Sequence, residues 1–109
     1  MPTEYRVLGQ SIPAANTLTT LYTVPTAKQA VCSTVAICNQ AATAASFGIA
    51  VRQAGAAQTT SQYIAMGTTV PANDTVLLTI GVTLTATDVI SVSASTATVS
   101  FNLFGSQIN

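Results

Sequence analysis

The stretch VLLTIGVTLTATDVISVSASTATVSFNLF, Val76 to Phe104, decides the fold. Branched and aromatic apolar residues alternate there with threonines and serines. Val82, Leu84 and Ala86 share one parity, and Thr83, Thr85 and Thr87 take the other. Val99, Phe101 and Leu103 alternate with Thr98, Ser100 and Asn102. A period of two sends such sets to opposite faces of a β-strand. One face then builds a core while the other meets water or another subunit. Gly81, Thr87-Asp88 and Ser95-Thr96 are the expected interruptions.

The same rhythm extends upstream. Tyr5 to Gly9 reads as a short first strand, and Ser11 to Asn16, with Pro13, as a turn or exposed connection. Thr17 to Val24 is rich in strand formers and stops at Pro25, which has no N–H to give a ladder. Thr26-Ala27-Lys28 is a tip with Lys28 solvated. Gln29 to Asn39 is the longest expected strand. Val31, Ser33, Val35 and Ile37 take one parity; Ala30, Cys32, Ala36 and Cys38 take the other. Both sets are fairly apolar, which predicts a central strand or one buried on both sides.

Ala44 to Gln53 follows, with Phe47, Ile49 and Val51 opposite Gly48, Ala50 and Arg52. Ala54 to Thr60 is small and polar, a flexible loop in which Gly55 and the threonines oppose a helical turn. Ser61 to Val70 is the next strand, and Pro71-Ala72-Asn73-Asp74 is a strong turn signal. Thr23-Val24-Pro25 is echoed by Thr69-Val70-Pro71, a match too short to define a repeat. Turn signals about every eight to twelve residues predict eight or nine short strands. The expected fold is all-β: a single-domain antiparallel β-sandwich, jelly-roll-like, over residues 1–109. Its core should contain Val35, Ile37, Phe47, Ile49, Val82, Leu84, Ile90, Val92, Phe101 and Leu103.

Composition narrows the function. The 109 residues are 49% hydrophobic, which excludes ordinary disorder. Only 6% are charged, against roughly 25% in a typical soluble protein. The charges are Glu4, Arg6, Lys28, Arg52, Asp74 and Asp88, and they sum to zero. No basic patch exists to neutralise a row of phosphates, so nucleic acid is not an expected partner. Missing charge repulsion fits a protein that lives packed against neighbours, against the alternative of a monomer kept soluble by hydroxyls and amides. Met1 to Arg6 lacks the basic-then-apolar pattern of a signal peptide. Asn39, Gln40 and Thr43 break the uncharged run from Gln29 to Val51, so no membrane span is expected.

The catalytic inventory is nearly empty. With no histidine, neither a Ser-His nor a Cys-His pair exists. Glu4, Asp74 and Asp88 are the whole carboxylate supply, and both aspartates sit at turn or strand-start positions that suit structural roles. Lys28 has no apolar pocket in sequence that would make it a catalytic amine. No glycine-rich phosphate loop is present, Gly55 and Gly67 standing alone. No cofactor is expected, and two cysteines without histidine argue against zinc.

Cys32 and Cys38 on one strand would stand about 20 Å apart, too far to pair, so free thiols are expected; a bridge or metal site between subunits is the alternative. Asn73-Asp74-Thr75 matches a glycosylation sequon but reads better as a turn. Thr83, Thr85 and Thr87 would give one strand face three hydroxyls, as in ice-binding arrays, though only one strand carries such a row. Tyr5, Tyr22 and Tyr63 would suit a sugar surface, yet each lies among apolar neighbours where partly buried packing is expected.

The chain resembles small virion structural proteins of tailed bacteriophages. The carrying segments include Val7-Leu8-Gly9-Gln10, Leu21-Tyr22-Thr23-Val24-Pro25, Val31-Cys32-Ser33-Thr34, and Cys38-Asn39. Phe47-Gly48-Ile49-Ala50-Val51-Arg52, Asn73-Asp74-Thr75, Asp88-Val89, Ala94-Ser95-Thr96 and Phe101-Asn102-Leu103-Phe104-Gly105 continue the likeness, which covers nearly the whole chain. The resemblance implies a non-enzymatic component of a phage particle, made in the host cytoplasm. A capsid decoration or cement protein is the leading expectation, contacting the major capsid protein and forming a homo-oligomer, by analogy a trimer. A tail, baseplate or fibre component, and a host-surface glycan-binding module, are the alternatives.

Overall fold

A computed structural model describes residues 3–108. Met1 and Pro2, which open the segment read for a targeting signal, lie outside the described residues, as does Asn109. Eight strands form: β1 (Thr3–Ser11), β2 (Thr19–Thr23), β3 (Gln29–Asn39), β4 (Ala45–Arg52), β5 (Tyr63–Val70), β6 (Thr75–Leu84), β7 (Val89–Ala94) and β8 (Val99–Ile108). They pair antiparallel in two four-stranded sheets, ordered β1-β8-β3-β6 and β2-β7-β4-β5. That is the strand order of a jelly roll, two interleaved Greek keys. Every connection except β4–β5 crosses from one sheet to the other, so pairing is dominated by residues far apart in sequence. The Val24-Pro25 and Val70-Pro71 pairs do equivalent work: each ends an edge strand of the second sheet with a buried valine and carries the chain to the first.

The core follows the alternation. Of the ten expected core residues, nine are buried; Val82 is the exception, half-buried against the core near a free sheet edge. Phe47 and Phe101 meet edge-to-face at its centre, centroids 6.2 Å apart and planes at 71°. Such contacts between sheets fix their spacing because interior side chains interdigitate at crystal-like density.

β3 is central, as expected, but the reason its two parities are both apolar is different. Its pairing with β8 and with β6 shifts register between Cys32 and Thr34. Ala30 and Cys32 are buried before the shift; Val35, Ile37 and Asn39 are buried after it. A bulge therefore swaps the inward parity halfway along the strand. Gly105 of β8 lies opposite this point, and a Cβ there would come within 3.0 Å of the Val31 carbonyl oxygen. Gly81 is the other departure. It takes a left-handed φ of 55° within β6 and does not end the strand. Gln53–Gly55 and Thr60–Gln62 each form a 3₁₀ turn, so the β4–β5 connection has local order where the sequence predicted a loop. Lys28, expected to be solvated, is half-buried.

Two polar residues bind the ends of the sandwich. The Nδ2 of Asn39 donates to the carbonyls of Thr43 (2.8 Å), Val70 (3.4 Å) and Pro71 (3.3 Å). Its Oδ1 accepts from the Ala41 amide (3.1 Å) and the Thr98 hydroxyl (3.3 Å). One buried amide thus joins three turns. At the opposite end, Asp88 accepts from the amides of Ala54 (2.9 Å) and Thr85 (3.0 Å).

Candidate interaction surfaces

The outer face of the β1-β8-β3-β6 sheet can be built row by row from the register. Tyr5 stands beside Ser106, which stands beside Val31 and then Thr83. The next row is Val7, Phe104, Thr34 and Thr79, and the next Gln10, Asn102, Ala36 and Leu77. Ser100, Cys38 and Thr75 follow. Each row runs across all or most of the sheet, and none contains a charged side chain. Glu4 and Arg6 take the opposite parity of β1, where they form an exposed pair at 3.9 Å, and Arg6 reaches the field of Tyr22 on the inner side. Large apolar groups are left uncovered on this outer face: Tyr5 is 87% exposed, Leu77 67%, Val7 46% and Phe104 36%. Tyr5 thus corrects the expectation of partly buried packing; β1 is an edge strand and turns that ring outward.

The tyrosines do not converge. Tyr22 is buried, and its hydroxyl donates to the Gln107 Oε1 at 2.8 Å. Burial raises its pKa, the nearby Cys32 thiolate reinforces the rise, and Arg6 opposes it. Tyr5 lies on one sheet's outer face and Tyr63 on the other's. The threonine row also breaks: Thr83 is in β6, whereas Thr85 and Thr87 belong to the following turn and Thr87 has a φ of 69°. Asp74 caps its own turn through the Thr75 amide at 2.8 Å, and Asn73 takes a φ of 52°, as a turn role requires. Both cysteines are free. Cys32 is buried, which pushes its thiol up to about 11, and Cys38 is half-buried on the outer face. Among the described residues, no three Cys, Asp or Glu side chains cluster as a metal site would require.

The second sheet carries a groove of about 270 Å³ on its outer face. Its floor is Ser46 and Gly48 of β4 with Ser93 of β7. Tyr63 and Met66 stand on one side, and Asn16 and Leu18 on the other. Gly48 leaves the floor open: a Cβ there would lie 3.2 Å from the Ser93 Oγ and 3.3 Å from the Tyr63 Cε1, so both side chains would have to give by a few tenths of an ångström. The Gln58 Nε2 donates to the Tyr63 hydroxyl at 2.7 Å and holds the ring. The Asn16 amide donates to the Ala94 carbonyl at 2.7 Å and holds the opposite wall. Apart from Tyr63, no local sequence signal marks this groove, because one wall comes from the connection before β2 and the other from β5 and the loop that precedes it, segments far apart in the chain.

No family model, curated protein or solved structure matches the chain.

Proposed function

We propose that the chain is a non-enzymatic structural protein of a tailed-bacteriophage particle, a decoration or cement protein that stabilises the head. The observation that carries this reading is the outer face of the β1-β8-β3-β6 sheet. It is continuous, uncharged and studded with exposed Tyr5, Val7, Leu77 and Phe104. A monomer gains nothing by leaving such groups in water, whereas a neighbour seated on them gains desolvation without having to neutralise a charge. The resemblance of the strand-and-turn segments to small phage virion proteins is what favours a phage particle in this reading; a jelly roll alone supplies no function.

In this reading the outer face docks on the major capsid protein, and a homo-oligomer, by analogy a trimer, presents several copies at once. Weak single contacts then add through effective concentration. Quantitative mass spectrometry of purified particles tests the proposal. Hundreds of copies per particle, and heads that become heat- and osmotically labile without the protein, are expected. A few to a few dozen copies with unchanged head stability would assign it to the tail, baseplate or fibre instead.

A further inference from the structure

We infer that the groove on the β2-β7-β4-β5 sheet is a binding site for a neutral saccharide. It lies on the opposite face from the surface assigned to the particle, and it stands or falls independently of that assignment. The rigidity, polarity, neutrality and size of the groove specify the ligand class.

Its floor is rigid. Ser46, Gly48 and Ser93 are strand residues on paired β4 and β7, directly over the buried Phe47 and Ala94. Both walls are fixed as well. Tyr63 is held by Gln58, and the loop that carries Gln58 is tied by a Thr59–Gln62 capping box and by a Gln62 Nε2 bond to the Ala57 carbonyl at 2.9 Å. The facing wall is held by the Asn16 amide and by a bridge between Ala15 and Ala94. A ligand here meets a formed site and pays little ordering entropy.

Its polar groups are neutral and unspent. The hydroxyls of Ser46 and Ser93 and the side-chain amide of Asn16 have no side-chain partner among the described residues, and the Tyr63 hydroxyl, already an acceptor from Gln58, retains its proton to donate. Such groups both give and take hydrogen bonds, as sugar hydroxyls do. No charged side chain lines the groove, so nothing there would hold a phosphate, a sulfate or a carboxylate. Tyr63 and Met66 add an apolar side to which the C–H face of a pyranose can be applied. The volume of about 270 Å³ falls just under the roughly 300–1,000 Å³ typical of small-molecule sites, which suits a ligand as small as a single sugar ring.

The test is a titration of the ¹⁵N-labelled full chain with methyl glycosides of glucose, galactose, mannose and N-acetylglucosamine, read by amide shifts. Binding of at least one with a Kd in the range of about 1–10 mM is expected, with shifts confined to residues around Gly48, Tyr63 and Ser93. Ser93→Leu, which fills the floor from outside the core, should abolish those shifts. Tyr63→Ala should weaken them about tenfold, and Tyr63→Phe, which keeps the apolar ring but loses the donor and the Gln58 bond, by a smaller factor. Each variant's remaining amide spectrum reports whether the fold survives. The inference is overturned if no neutral sugar shifts these amides, if Ser93→Leu binds as well as the parent, or if adenosine or sialic acid binds more tightly than every neutral glycoside.

Discussion

The hydroxyl of Tyr22 in β2 and the amide oxygen of Gln107 in β8 meet at 2.8 Å inside the sandwich, a buried hydrogen bond between two side chains that joins one sheet to the other. Each sheet presents a polar group to an apolar interior, and each group satisfies the other. Tyr22→Phe should cost about 1–3 kcal/mol, because Gln107 is left buried with an unpaired acceptor. Gln107→Leu should cost a similar amount. The double variant should cost clearly less than the sum, since both polar groups are then gone. Urea unfolding of the four proteins measures the coupling, and strict additivity would mean that the bond contributes nothing.

Asn39 should be a more sensitive point than any other polar residue. Replacing it with Ala removes the contacts to Thr43, Val70 and Pro71 and leaves the Ala41 amide and Thr98 hydroxyl without their acceptor. With at least one buried group left unsatisfied and three turns released, the expected loss is about 2–4 kcal/mol. Asn39→Asp should recover little, because a carboxylate cannot donate to the three carbonyls. Thermal unfolding of both variants checks the ranking.

The glycines separate into two kinds that unfolding experiments distinguish. Gly105→Ala drives a methyl group into the Val31 carbonyl at the bulge, and backbone must move to make room. A loss of about 1–3 kcal/mol or more is expected. Gly81→Asn keeps a left-handed φ that asparagine tolerates and meets nothing within 4 Å. It should cost less than about 1 kcal/mol.

Much of this architecture is legible in the residues, and the parts that are not have physical reasons. The alternation of Val99, Phe101 and Leu103 runs unbroken through a regular strand, so periodicity alone identifies the buried face. At Cys32 to Val35 the bulge exchanges the faces, and period counting then reports a strand apolar on both sides. Tyr5 has apolar neighbours in sequence, but exposure depends on β1 lying at a sheet edge, which only the pairing of distant β8 decides. The outer-face rows likewise require the order β1-β8-β3-β6. Their lack of charge was visible in composition; their continuity was not. The groove at Tyr63 depends on Asn16 and Gln58 being brought to the same sheet, and no local pattern encodes that.

Alkaline pH should destabilise the fold through its buried acids. The Cys32 thiol is raised from 9.0 to about 11 by burial, so the unfolded chain ionises first as pH rises. Stability from this group is whole below about pH 9 and falls between about 9 and 11, at no more than about 1.4 kcal/mol per pH unit. Tyr22 is also raised above its ordinary 10.0, chiefly by desolvation, and adds a loss that begins about one unit higher. Cys32→Ala lowers stability at every pH by creating a small cavity, but its stability curve should be flatter between pH 9 and 10. An unchanged slope there would show that the thiol does not titrate with unfolding.

Cys38 gives the proposed docking face a chemical reporter. It lies between Ser100 and Thr75 on the uncharged outer surface, while Cys32 faces the core. In the free protein at neutral pH, maleimide should label Cys38 and leave Cys32 unmodified until unfolding. In assembled particles Cys38 should be protected, because the partner covers its row and excludes reagent. Leu77→Lys, in the row next to Cys38 on the same face, supplies the complementary perturbation. Its side chain is already solvent-facing, so folding stability should change by no more than about 0.5 kcal/mol. Burying an unpaired ammonium against a neutral neighbour is costly, however, and incorporation into particles should fall sharply. Full labelling of Cys38 on intact particles, together with normal incorporation of the Leu77→Lys protein, would mean that the β1-β8-β3-β6 face looks outward to solvent and that attachment uses another surface.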